Sequence, residues 1–227
     1  MSLDVRLSPV AAVRTKLSDS VFDTLCDAIV EGTLSPGERL PEARIAEALN
    51  TSRMPVREAL AQLEHRHLVE RDPNGTCVVA RWDRQHLWEV ATLRGALEGL
   101  VVRLAAVKLA PEDADHLEGL ITQMERALDR GDYERLIHLD IQFHSYVWTC
   151  TGHRLLQEAL EDMKPQVRYF MYVTRPGDEE AYPDSHREVL EVLRAGDADR
   201  AEAVIREHTL TTAERAIARL EPGKVLS

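Results

Sequence analysis

Cysteine is scarce in this chain and poorly placed for its structural uses. Cys26, Cys77 and Cys150 are odd in number, far apart and in no CxxC arrangement, so neither a disulfide framework nor a cysteine-ligated zinc site is suggested. They read instead as small buried hydrophobes. No apolar run reaches the ~18 residues needed to cross a bilayer. The start, "MSLDVRLSPV", also lacks the basic and then apolar order of a secretory signal, so a cytoplasmic protein is expected. Aromatic residues are only 5% of the total while hydrophobic residues are 44%, so the cores must be mainly aliphatic. Positive charge is in deficit: 28 Lys and Arg stand against 39 Asp and Glu, a formal charge of -11. Such a surface does not attract polyanions indiscriminately.

What the chain does have is two segments of different character, and 227 residues are enough for two domains. In the first, expected over residues 10–80, "SDSVFDTLCDAIVEG" places Val21, Leu25, Ile29 and Val30 at helical spacing, with Gly32 as a stop. "SPGERL" reads as a turn, and "PEARIAEALN" supplies Ile45, Ala46 and Leu49 to one face of a short second helix. Thr51 and Ser52 are capping residues for a third helix, whose first turn tolerates Pro55. Its buried stripe is Val56, Leu60 and Leu63. With those three turned inward, Arg53 and Arg57 fall one helical turn apart on an outer face. "LVERDPNGTCVVA" then reads as two short strands joined at Pro73, Asn74 and Gly75. Helix, helix, turn, helix, hairpin is the order of a winged helix-turn-helix, whose third helix enters the DNA major groove.

On an anonymous amphipathic helix the arginine pair would more often be a solvated face, with Arg57 paired to an acid such as Glu58 or Glu64. Its setting argues otherwise. The stretch "GTLSPGERLPEARIAEALNTSRMPVREALAQLEHRHLVERDPNGTCVVA" resembles the DNA-binding domain of GntR-type bacterial transcription regulators, which share PGxxL, an LA-like pair, SRxPVREAL and a wing glycine. The resemblance implies that Arg53 and Arg57 contact bases and phosphates, supported by Arg44 on the second helix and Gly75 at the wing tip. Asn50 and His67 depart from it, each standing where the family usually has glycine. Residues 1–80 hold nine basic and twelve acidic side chains, a net of -3. DNA affinity must therefore come from a local patch, presented twice by a dimer and strongly dependent on salt.

From Asp83 the chain reads as helix after helix. Leu87, Val90, Leu93, Leu97, Val101 and Leu104 form one periodic face after an Asp83 cap, and Pro111 opens the next helix. Gly131, Gly152 and Gly196 stop later ones, and Pro165 is expected to kink or break the fourth. Six or seven helices with short connections imply an antiparallel bundle over residues 83–220. The fold class is therefore mainly α: a winged helix-turn-helix followed by an all-helical bundle.

Of nine histidines, His65, His67, His86, His116, His138 and His153 read as surface or helix-end residues. Asp140 and His144 in "LDIQFHSY" differ, being four apart and so on one helical face, the spacing that lets a carboxylate and an imidazole meet one cation. His186 and His208 lie on later helices. A lone pair of this kind is more often a satisfied core contact, and two further histidines weaken that reading without removing it.

The segment from 83 to 219 resembles the all-helical FCD ligand domain of the FadR-like branch of the GntR family, in its metal-binding form. That resemblance implies Asp140, His144, His186 and His208 as ligands. It also implies Arg94 and Glu98, in "LRGALE", as effector-binding residues. Three imidazoles and one carboxylate suit a divalent Zn, Ni or Mn ion better than Ca. Open coordination positions could take a small carboxylate effector whose other end pairs with Arg94. The implied protein is a homodimeric repressor of a double-stranded operator, controlled by an organic acid. Two alternatives stay open: a regulator answering to the metal alone, and a metal-dependent hydrolase with Glu98 as its base.

Overall fold

The computed structural model describes residues 13–173 and 182–218, and the chain divides between Ala80 and Arg81 into two units. The first contains α1 (Val13–Val30), α2 (Glu42–Ala48), α3 (Arg53–His65), β1 (Val69–Arg71) and β2 (Cys77–Val79). The α1 residues Val21, Leu25 and Ile29 and the α3 residues Val56, Leu60 and Leu63 are all buried where these helices pack. Each such side chain contributes about 1.5 to 3 kcal/mol. Strands β1 and β2 pair antiparallel, with Val69 opposite Val79 and Arg71 opposite Cys77. Asp72 closes their turn: its side chain accepts from the backbone N–H of Asn74 and of Thr76, each at 2.9 Å. Gly75 sits there at φ 78°.

The "SPGERL" stretch is more than a turn. Val79 N–H donates to the Glu38 carbonyl at 2.9 Å and Leu40 N–H to the Cys77 carbonyl at 2.8 Å, so residues around Arg39 run along the outer side of β2. Ser52 occupies the N-cap position of α3, but its side chain makes no capping hydrogen bond there.

Two residues carry the left-handed backbone that favours glycine: Asn50 at φ 48° and His67 at φ 55°. Both follow helix ends closed in the same way. Thr51 N–H reaches the Ala46 carbonyl at 2.9 Å, and Leu68 N–H reaches that of Leu63 at 3.0 Å, the long bond of a Schellman motif. A β-carbon in this conformation costs roughly 1 to 2 kcal/mol, less for asparagine, whereas glycine costs roughly 0.5 to 1 kcal/mol of chain entropy. His67→Gly is therefore expected to stabilise the first unit by about 0.5 to 1 kcal/mol. Denaturant unfolding of the whole chain checks this; a loss of stability would show that the imidazole contributes more than its backbone strain costs.

The second unit contains α4 (Arg84–Ala106), α5 (Pro111–Asp129), α6 (Tyr133–Thr151), α7 (Arg154–Val173), α8 (Tyr182–Ala195) and α9 (Ala198–Ala218). The Asp83 carboxylate caps α4 by accepting from His86 N–H at 2.8 Å, and Asp132 caps α6 by accepting from Arg135 N–H at 3.1 Å. The core is largely aliphatic, built on Leu117, Ile121, Met124, Leu136, Leu139, Leu190 and Ile205, with Phe143 among them.

Three expectations need correction. Helix α7 is continuous through the buried Pro165 rather than broken there. Cys150 is half-buried, unlike Cys26 and Cys77. Leu93 is 54% exposed, although the apolar periodicity of α4 places it inside. The inward face of α4 instead includes Ala91, Gly95, Glu98, Gly99 and Val102. Helix α9 passes close to both of these glycines, more tightly at Gly99 than at Gly95. A β-carbon at Gly99 would stand 3.1 Å from the Arg206 side chain, and one at Gly95 would stand 3.7 Å from Thr209.

Candidate nucleic-acid interface and metal centre

The outer face of α3 exposes Arg53, Met54, Arg57, Glu58 and Ala61. Arg44 on α2 and Gly75 in the strand turn are also exposed. Arg57 is held, but by neither Glu58 nor Glu64. Its Nε donates to Glu42 Oε1 at 3.0 Å and its Nη2 to Glu42 Oε2 at 2.8 Å, while Glu64 pairs with Arg71. The Arg57 hydrogen bond draws the Glu42 carboxyl below its ordinary range, outweighing a small opposing effect of burial. Arg53 makes no ion pair among the described residues.

The close approach of α9 to α4 brings His208 towards Asp140 and His144 on α6 and His186 on α8. One ring nitrogen from each of His144, His186 and His208 lies within 4.8 Å of the others. Ring centroids are 5.3 Å apart for His144 and His186, 4.8 Å for His186 and His208, and 5.7 Å for His144 and His208. Asp140 Oδ1 stands 3.0 Å from His186 Nε2 and 3.8 Å from His144 Nε2. The three imidazoles thus form one group that could hold an ion, while Asp140 lies beside His186 and His144 but outside that mutually close set.

Glu98 lies between Arg94 and His144. It is 1% exposed; its Oε1 accepts from Arg94 Nε at 2.9 Å, and its Oε2 lies 2.9 Å from His144 Nδ1. His144 Nε2, on the other side of the ring, lies on the Asp140 side. Arg94 also approaches Asp140, with Nη2 3.8 Å from Oδ2. Burial pushes the Glu98 carboxyl up, but Arg94 and His144 outweigh it and bring it down to about 2. Asp140 is likewise raised by burial and then taken well below the usual carboxylate range by His144, His186 and Arg94. His208 is pushed well below its ordinary value, first by burial and then by the neighbouring imidazoles, which favours the neutral ring that a metal binds.

The donor set fits a cation. Among the described residues, the buried atoms His144 Nε2, His208 Nδ1 and Asp140 Oδ2 have no hydrogen-bond partner, and such atoms usually have one. A divalent ion of the Zn, Ni or Mn type accepts imidazole and carboxylate together. Beside the cluster, a cavity of about 20 Å³ is lined by Arg94, Asp140, Val167, Phe170, Met171 and His208. That is room for one or two waters.

Comparison with known proteins agrees with this division. Residues 17–79 match the profile described as bacterial regulatory proteins, gntR family, and residues 89–211, more than half of the chain, match the FCD domain. The HTH-type transcriptional regulator McbR of Escherichia coli (strain K12) is 28% identical over 74% of this chain and 78% of its own. A probable D-xylose utilization operon transcriptional repressor of Paenarthrobacter nicotinovorans is 29% identical over 86% of each. Among solved structures, E. coli McbR/YncC superposes with a TM-score of 0.72 at 24% identity, covering 88% of this chain and 97% of that one. A GntR-type protein from Rhodococcus sp. RHA1 gives 0.74 at 22% identity, covering 91% and 100%. Among the described residues no helix is long and apolar enough to cross a membrane.

Proposed function

This chain belongs to the GntR family of bacterial regulatory proteins and carries an FCD domain after its DNA-binding domain, and from that premise we infer that it is a cytoplasmic, dimeric repressor whose operator affinity is set by a metal-anchored ligand. Arg44, Arg53, Arg57 and Gly75 face the operator in this reading, two copies of α3 reading a two-fold site. Asp140, His144, His186 and His208 hold a divalent ion. Open coordination positions take a small organic acid, which Arg94 meets at its other end. When bound, the ion supplies a Lewis-acidic anchor for that carboxylate. The repressor assignment is supported by the repressor named among the relatives.

The observation that carries the reading is the group of three close imidazoles, with atoms of His144, His208 and Asp140 that have no hydrogen-bond partner among the described residues, inside a bundle that follows a winged helix in the chain. Ligand control requires a difference in ligand affinity between DNA-competent and incompetent states, and about 1 to 3 kcal/mol suffices.

The small cavity favours a second reading, in which the metal alone is the signal. One titration separates them. Operator affinity of metal-loaded and chelator-treated protein is measured with and without a panel of two- to six-carbon hydroxy and sugar acids. The first reading expects one acid to change affinity at least about fivefold, and only when metal is retained. A change that follows metal alone supports the second, and no response to either removes both. A hydrolase loses its nominated base, because Glu98 is already engaged by Arg94 and His144.

A further inference from the structure

The two arginines of α3 are not equivalent. Arg53 makes no ion pair among the described residues, so its guanidinium can move to whichever phosphate or base is near. Arg57 is gripped side-on, with the Nε and Nη2 edge of the guanidinium taken by the two oxygens of Glu42. A guanidinium is a rigid planar fork. Once that edge is occupied, the plane is fixed and only the end-on edge, formed by Nη1 and the second N–H of Nη2, remains for another acceptor pair.

Stability does not explain the arrangement, because the two side chains are 63% and 31% exposed and exposed pairs contribute little. For attraction to phosphate it is unfavourable, since it sets a carboxylate on the surface that meets a polyanion. It does suit one task. Two parallel N–H groups at fixed spacing match the O6 and N7 acceptors that guanine presents in the major groove. Adenine offers N7 as an acceptor but a donor where guanine has O6, so a fork that cannot swivel rejects it.

We propose that Glu42 is a positioning residue for DNA recognition, orienting Arg57 so that it reads a guanine in each operator half-site rather than wandering to phosphate. The proposal rests on the reading that α3 enters the major groove. Arg57 supplies the contact and Glu42 supplies its selectivity, at the cost of some general affinity for DNA.

Full-length wild type, Glu42→Ala and Arg57→Ala are each used to select from a pool of random duplexes, after thermal unfolding confirms that the variants fold. Affinities are then measured for the selected duplex, its guanine-to-adenine version and a random duplex. Wild type should enrich a two-fold site with a guanine that Arg57→Ala no longer selects. Glu42→Ala should bind the random duplex as well as wild type or better, because a negative charge is gone. Its preference for guanine over adenine at that position should fall about tenfold, within the range of one bidentate base contact. A purely structural role would not separate selectivity from general affinity. If Glu42→Ala keeps the wild-type preference, or gains affinity equally for every sequence, the proposal is overturned and Glu42 is only a brake. If wild type enriches no sequence, the DNA-binding reading itself fails and this one falls with it.

Discussion

Replacing Glu98 with alanine is expected to destabilise the helical unit by about 3 to 5 kcal/mol, the usual cost of removing one partner from a buried ion pair. The side chain is 1% exposed and its two oxygens face different groups, Arg94 Nε and His144 Nδ1. Truncation takes a partner from each. Arg94, with its side chain only 12% exposed, would keep a charge that Asp140 meets at no closer than 3.8 Å. His144 would lose the carboxylate 2.9 Å from its Nδ1, so metal affinity should also drop, by about 10- to 100-fold as for other partners of metal-ligating histidines. Urea unfolding with and without chelator measures the first effect, and competition with a chelating dye measures the second. Glu98→Gln separates charge from shape, because the amide can still accept from Arg94 while leaving its charge unbalanced. Wild-type stability and metal affinity in Glu98→Ala would show that the carboxylate does not organise the site.

Glu98 also illustrates what a sequence can and cannot disclose. Element order, strand pairing and helix stops were legible because they depend on local signals: the Asp83 cap, Pro111 at a helix start, and glycines where the backbone turns left-handed. Even the departures were informative, since Asn50 and His67, which replace family glycines, are the two non-glycine residues with positive φ among those described. The face of α4 was misread because its buried side includes two glycines and a glutamate. Hydrophobic periodicity passes over those residues, and it placed exposed Leu93 inside. Close packing of α9 and the need to balance Arg94 override the simple pattern there. The Arg57 partner was missed for a similar reason: Glu42 lies 15 positions away on another helix, beyond the one-turn spacings that a sequence makes visible. Asp140 and His144 share one helical face and so announced themselves, whereas placing His186 and His208 beside them required the fold.

Adding Zn²⁺, Ni²⁺ or Mn²⁺ to metal-free protein should raise its melting temperature by roughly 10 °C, the second large effect expected. A ligand that binds only the folded state stabilises by about 4 kcal/mol when its free concentration is a thousandfold above Kd, and each kcal/mol is worth roughly 2 to 4 °C in a unit of this size. The gain should be large because the metal-free site is unfavourable on its own: among the described residues, buried His144 Nε2, His208 Nδ1 and Asp140 Oδ2 have no hydrogen-bond partner, and the three imidazoles lie close enough together to share one ion. His186→Ala is the discriminating variant. Its ring is fully buried, with Nε2 3.0 Å from Asp140 Oδ1, and its removal should abolish most of the metal-dependent shift and reduce bound metal well below one ion per chain. Calorimetry with element analysis reads both quantities. Protons compete for imidazole nitrogens, so the shift should shrink as the pH falls. An equal shift in His186→Ala would place the ion elsewhere. No shift with any of the three ions would leave the partnerless donors as a cost of the fold itself, and the effector reading would lose its anchor.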